Sequence, residues 1–262
     1  MMANGLKVKI YYIPGSHPCA AVFKAAELKG IEYTKTLVLP PMQPLVMTMM
    51  FGGRTIPAMK ITDGPDGKEK VQGSRKIMRT FESIQPEPPL FPADAAERER
   101  VIAAETWADG ELQALVRRLT WAYLWRSRDD LGSFSKNDKV PLPEFAQNLA
   151  APMAIKIEMK INDVNDDTTQ ADLKQLPGVL DQIDKYIADG LIGGDQPNVA
   201  DIQIFSCLWL LRSMRDMREI VDARPCGEAS QKLFGEPAGD VTGGVLPDAW
   251  YEPLRTAQLL RA

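Results

Sequence analysis

Residues Val8–Ile31 read VKIYYIPGSHPCAAVFKAAELKGI, and the fold follows from this stretch. Val8, Ile10 and Tyr12 alternate with Lys9 and Tyr11, the period-two pattern of a β-strand. Pro14-Gly15 breaks the strand. Pro18 suits the first helical position, where the missing N–H costs nothing and φ is already helical. Val22, Ala25, Ala26 and Lys29 keep helical spacing, and Gly30 supplies the C-terminal stop. Ser16 and His17 therefore stand just before a helix N-terminus, where orphan amides and the helix dipole favour an anion such as a thiolate.

Working outward, Tyr33–Leu39 is β-branched and apolar enough for a second strand, parallel to the first because a helix intervenes. Pro40–Gly53 is proline-bounded and holds four methionines. It predicts a short irregular helix or a lip, its methionines filling gaps in a core. In Arg54–Ile61, Pro57 cannot donate to a central ladder and must begin a strand or lie at an edge. Asp63–Gly67 (DGPDG) is a turn, after which Lys70-Val71 returns antiparallel. Gly73-Ser74 opens a helix carrying Ile77, Met78, Phe81 and Ile84 on one face. Gln85–Ala93, with four prolines in nine residues, reads as a linker.

Everything beyond reads as helical. One long helix is expected from Asp94 to about Arg128, with a break through Asp129–Pro143 and a helix over roughly Glu144–Ile161. Asn162–Thr169 reads as a polar loop, Leu173–Ala188 as an amphipathic helix and Gly190–Pro197 as a loop. Asn198 and Asp201 form a modified capping box ahead of IQIFSCLWLL, which belongs at the centre of a helical core. Glu236–Ala262, rich in Gly and Pro, is expected to wrap the surface as an ordered tail. Arg117-Arg118 and Arg126–Asp130 read as a solvated, salt-bridged face. The reading is therefore α/β plus all-α: residues 1–86 as β-α-β-α-β-β-α, a linker over 87–93 and a helical domain over 94–262.

Composition narrows the function classes. The chain has 262 residues, 45% of them hydrophobic, enough to bury a full core. Thirty-one basic against thirty-five acidic side chains leave a net charge of −4, which with no basic run argues against a nucleic-acid partner. No apolar run approaches a membrane span, and the opening MMANGLKVKI lacks the apolar core of a signal peptide. No membrane partner is expected. Three scattered cysteines and a single histidine fit no metal site, and they suit a reducing, cytoplasmic setting.

Four local features, in order along the chain, resemble the soluble, cytosolic-type glutathione transferase family. GSHPCAAVFKAAELKGI resembles the active-site turn and first helix of theta-like members. Thr55-Ile56-Pro57 matches the residue before the cis-proline ahead of the third strand. VQGSRKIMRTFE occupies the place of the acidic-Ser motif that opens the third helix, in a variant resembling actinobacterial-type members. Asn198–Asp201 matches the capping box of the buried helix in the second domain.

The resemblance implies a thioredoxin-like first domain and a detoxifying transferase that joins glutathione, or another low-molecular-weight thiol, to a small hydrophobic electrophile. It implies a homodimer and no metal. Residue by residue, it places Ser16 at the sulfur as catalytic hydrogen-bond donor, with His17 and Cys19 as alternatives. Ile56 would pair its backbone with the cysteinyl part of the thiol, and Pro57 would be cis. Gln72, Gly73 and Ser74 would hold the γ-glutamyl end. Gly73 departs from the family's Glu, Gln or Asp at its position, which leaves the side-chain contact to the γ-glutamyl amine missing or supplied by Gln72. A thiol-dependent lyase, isomerase or peroxidase on the same site, and a non-catalytic binding module, are the other readings. Trp107, Trp121, Tyr123 and Trp125 lie on the long helix that flanks the electrophile site in this family.

Overall fold

The computed structural model describes residues 6–39, 42–64, 67–136, 138, 140 and 143–259. The chain divides into two compact units, Met1–Val101 and Ile102–Ala262.

The first unit is an α/β sandwich on a four-stranded mixed sheet. Strands β1 (Val8–Tyr12), β2 (Tyr33–Leu37), β3 (Ala58–Gly64) and β4 (Gly67–Gln72) lie in the order β2-β1-β3-β4. β2 runs parallel to β1, β3 antiparallel to β1, and β4 antiparallel to β3. Helices α1 (His17–Leu28) and α3 (Ser74–Ile84) pack together, burying Val22, Ala25 and Ala26 of one and Ile77, Met78 and Phe81 of the other. The second strand is shorter than its apolar run: it ends at Leu37, and Val38 turns inward while its N–H donates to the Tyr12 carbonyl. The predicted turn over Asp63–Gly67 falls in part on residues outside those described.

Between β2 and β3 lies α2 (Gln43–Phe51). Its methionines divide: Met47 is fully buried with Tyr11, Val38 and Ala58, while Met42 and Met49 face solvent. The core reading thus holds for one side of the helix only. Gly30 takes φ +64° after α1 and Gly52 φ +82° after α2, left-handed positions that stop both helices.

The proline-rich stretch over 85–93 packs against the first unit. Leu90 and Phe91 are buried, the Leu90 N–H donates to Glu82 Oε2, and the Arg79 and Arg98 guanidinium groups lie over the Phe91 ring. Lys29, buried, pairs with Glu82 and donates to the Pro86 carbonyl. The division between units comes later, within α4 (Ala95–Trp107).

The second unit is all-helical. α4 continues through a π-turn over Ala108–Leu112 into α5 (Gln113–Arg126), as one long helix was expected to. After a 3-10 segment (Arg128–Ser135) come α6 (Glu144–Ile161), α7 (Asp166–Ala188), α8 (Val199–Leu211), α9 (Arg215–Asp222) and α10 (Pro225–Phe234). A second 3-10 turn (Asp248–Tyr251) then leads into α11 (Glu252–Leu259). α8 is the core helix: twelve of its thirteen residues are buried. The stretch Asn162–Thr169 is not a loop throughout. α7 begins inside it because Asn165 caps the Thr168 N–H while the Thr168 hydroxyl accepts from the Asn165 N–H.

The expected solvated face also divides. Arg118 forms a bidentate pair with buried Asp172 and Arg126 pairs with Asp166. Arg117 instead turns inward against Gln113 and Asn162, where burial lowers its affinity for a proton. Through residue 259 the tail is ordered and clasped. Asp216 accepts from Tyr123 and Tyr251 hydroxyls and from the Gly244 N–H, and Arg215 and Arg218 pair with Asp240. No helix among the described residues is long and apolar enough to cross a membrane.

Candidate thiol-binding site

Three segments meet at one end of the sheet, and register is the reason. Tyr11 pairs with Ala58 and Ala58 with Gln72. The turn that follows β1 (residues 13–16), the entry to β3 (Ile56–Pro57) and the exit from β4 (Gly73-Ser74) therefore share that end.

Ser16 is the N-cap of α1, with φ −74° and ψ 111°, yet its side chain makes no capping bond. Its carbonyl accepts from the Cys19 and Ala20 amides, at 3.0 and 2.9 Å. Its hydroxyl turns to the Cys19 thiol. Helix α1 starts at His17, so Pro18 takes the second helical position rather than the first. Among the three candidates in this turn, burial discriminates. His17 is 2% exposed and Cys19 1%, while Ser16 is half-buried. Burial pushes the Cys19 thiol up to about 11, against the opposing Ser16 hydrogen bond, so Cys19 is a neutral thiol at physiological pH. Cys207 and Cys226 are likewise buried and raised by desolvation.

The Ile56–Pro57 peptide is cis. Pro57 directly precedes β3, as its missing N–H requires, and its carbonyl accepts from the Gly73 N–H at 2.9 Å. Ile56 is half-buried, and its backbone N–H and C=O make no hydrogen bond to the described residues. An extended ligand backbone could pair with this edge.

The Gln72 side-chain amide donates to the chain that leads into the cis-proline. Its Nε2 donates to the Gly53 carbonyl at 2.8 Å and the Thr55 carbonyl at 2.7 Å, so both amide hydrogens are engaged within the protein. Gln43 Nε2 also donates to the Arg54 carbonyl and Lys70 Nζ to the Met50 carbonyl. These four bonds brace the chain leading into the cis-proline. The sequence reading missed the brace. Its signal was Gly52-Gly53: a Cβ at Gly53 would stand 2.3 Å from Gln72 Oε1.

Gly73, N-cap of α3, has φ +95° and ψ 138°, a conformation that disfavours any side chain although the space beyond it is open. It explains the departure from an acidic or amide residue at this place in backbone terms. Ser74, buried at the first position of α3, begins a helix whose N-terminal amides suit a carboxylate.

The aromatic residues of the long helix have mostly structural partners. Tyr123 is fully buried, its hydroxyl 2.7 Å from that of Tyr251; Trp107 packs edge-on against Tyr186; the Arg128 guanidinium lies 4.0 Å over the Trp125 ring. No cluster of potential metal ligands occurs among the described residues.

Residues 10–89 match the family model described as glutathione S-transferase, N-terminal domain. No curated protein matches the chain by sequence. The fold is shared with solved structures. A glutathione transferase from Populus trichocarpa is 14% identical, with a TM-score of 0.58 over 95% of this chain and 98% of that one. A β-etherase from Sphingobium is 17% identical, with a TM-score of 0.57 over 86% and 98%. A maleylacetoacetate isomerase from Anaeromyxobacter dehalogenans, solved with bound dicarboxyethyl glutathione and citrate, is 16% identical, with a TM-score of 0.55 over 87% and 89%.

Proposed function

We propose that the protein is a thiol-dependent enzyme that transfers glutathione, or another low-molecular-weight thiol, to a small hydrophobic electrophile. The observation that carries this reading is the unengaged backbone edge of Ile56, beside a cis-proline, at the same sheet end as two helix N-termini. The match of residues 10–89 supports it.

In this account the Ser16 hydroxyl turns from the Cys19 thiol to donate to the ligand sulfur, and the α1 dipole favours its negative charge, so the ligand thiol loses its proton to solvent near neutral pH. The Ile56 N–H and C=O align the cysteinyl segment. The N-terminal amides of α3, with Ser74, receive the γ-glutamyl carboxylate. Gln72 is a positioning residue that acts through the loop it braces. The new C–S bond forms as the electrophile's leaving group departs, or as its double bond takes up a proton. Rate enhancement comes from the raised thiolate fraction and from holding the reactants together.

Ser16→Ala is expected to lower conjugation with an activated aryl halide by at least about tenfold, the scale of one hydrogen bond to a charged group. Ser16→Thr should retain most of the rate. An unchanged rate in Ser16→Ala would remove Ser16 from the sulfur.

The second reading is a non-catalytic binding module. Gly73 favours it, because no side chain at that position accepts from a ligand amine. Conjugation of a panel of electrophiles at rates no faster than the uncatalysed thiol reaction would select it.

A further inference from the structure

Acidic side chains are missing from the segments that build the thiol-site end of the first unit. Residues 8–26, 33–62 and 70–81 hold no Asp or Glu, but nine lysines and arginines. In a chain of net charge −4 this separation is a matter of placement, not of composition. Topology accounts for it. β1 and β2 finish at this end, β3 begins there, and α1 and α3 start from it. Glu27, Glu32, Asp63, Glu69 and Glu82 fall instead towards the opposite end, where α1 and α3 finish and β2 begins. Neither α1, α2 nor α3 has an acid in its first turn.

Cations border the ligand edge. Arg54 is exposed two residues ahead of Ile56, and Arg75 and Lys76 follow Ser74 in the first turn of α3. Lys70 reaches the end of α2, donating to the Met50 carbonyl at 2.8 Å. Gln72 and Ser74, on either side of Gly73, are neutral. At Gly73 a φ of +95° strains any side chain, so no acid is readily built there.

We propose that the thiol this site takes carries carboxylate groups and no free amine, its amino group being absent or acylated. The inference rests on the thiol-site reading above and names its substrate class. A carboxylate at the start of α3 meets orphan amides, the positive end of the dipole and two cationic residues. Glutathione carries an α-ammonium beside that carboxylate, protonated at neutral pH. The ammonium meets the same positive field and no acid to offset its lost hydration. A like-charge mismatch of this kind is how a site rejects one ligand in favour of a near-isostere.

Calorimetric titration of the full chain with glutathione and with glutaryl-Cys-Gly, the same peptide without its amine, tests the preference. Both ligands keep the thiol and both carboxylates, so only the ammonium differs. At pH 7 and low salt the amine-free peptide is expected to bind at least about tenfold more tightly. Lys76 is exposed, and Lys76→Glu supplies an acid in the first turn of α3, where the helix dipole favours it. Circular dichroism should therefore match wild type, and the preference should narrow by about fivefold or more.

Glutathione binding the wild type as tightly as the amine-free peptide would overturn the inference and leave the thiol site standing. A preference unchanged in Lys76→Glu would overturn it as well. Binding of neither peptide would overturn the thiol-site reading itself, and this inference with it.

Discussion

Gly227→Ala is expected to destabilise the helical unit by about 3 kcal/mol or more, lowering the melting temperature by roughly 6–12 °C. Gly227 lies in the first turn of α10, where the chain passes directly over the end of α9. A Cβ there would stand 2.0 Å from the Val221 carbonyl oxygen, 2.6 Å from its carbonyl carbon and 2.8 Å from the Asp222 Cα. All three are backbone atoms, so no side-chain rotation relieves the overlap and one helix must move. That movement would disturb the buried Arg212, which pairs with Asp222 and donates to the Gly235 carbonyl at 3.0 Å. Gly178→Ala is the internal control. Gly178 sits inside α7 with nothing within 4 Å of its would-be Cβ, so alanine there should be neutral or stabilising by up to about 1 kcal/mol. Thermal unfolding followed by circular dichroism checks both. Equal melting temperatures for the two variants would refute the close approach of α9 and α10.

Asp201→Ala should cost on the order of 3–5 kcal/mol, because it leaves two enclosed amides without an acceptor. Asp201 is buried at the third position of α8. Its carboxylate accepts from the Gly193 N–H at 2.5 Å and the Asn198 N–H at 2.8 Å. Asn198 answers by accepting from the Ala200 and Asp201 amides and by donating to the Leu191 carbonyl. The loop and the core helix are thereby fixed together.

Burial pushes the Asp201 carboxyl up to about 6, against the opposing backbone hydrogen bonds. The folded protein then holds this proton over a range where the unfolded chain, titrating near 4, has released it. Stability from this group is therefore greatest below about pH 4 and falls as pH rises towards 6. Relative to Asp201→Asn, which does not titrate, the wild type should lose roughly 2–3 kcal/mol between pH 4 and pH 7. Urea unfolding at the two pH values measures it. A difference that stays flat, or grows with pH, would contradict the assigned direction.

Much of this was legible from side-chain pattern. β1 and α1 came from alternation, helical spacing and the Gly30 stop, and the buried helix α8 came from Asn198 and Asp201 ahead of an unbroken apolar run. What failed to show were features set by backbone partners distant in sequence. Gln72 reads as a polar residue beside a ligand end, and only the register of β3 with β4 turns it towards the Gly53 and Thr55 carbonyls. Gly73 reads as a missing side chain, whereas a φ of +95° makes it a requirement of the chain path. The start of α7 was hidden because Asn, Asp and Thr favour loops and caps alike. Asn165 with Thr168 was the signal available there. Arg117 was assigned to solvent with its neighbour Arg118, yet residues adjacent on a helix point about 100° apart, and this one points inward.

The central claim is that the sheet end formed by Ser16, Ile56–Pro57 and Gly73-Ser74 binds a thiol. Calorimetric titration of the purified protein with reduced glutathione, alongside a second low-molecular-weight thiol, tests it most directly. The account predicts saturable one-site binding of at least one of the two, in the micromolar to low-millimolar range, weakened in Ser16→Ala. Binding of neither thiol would contradict it.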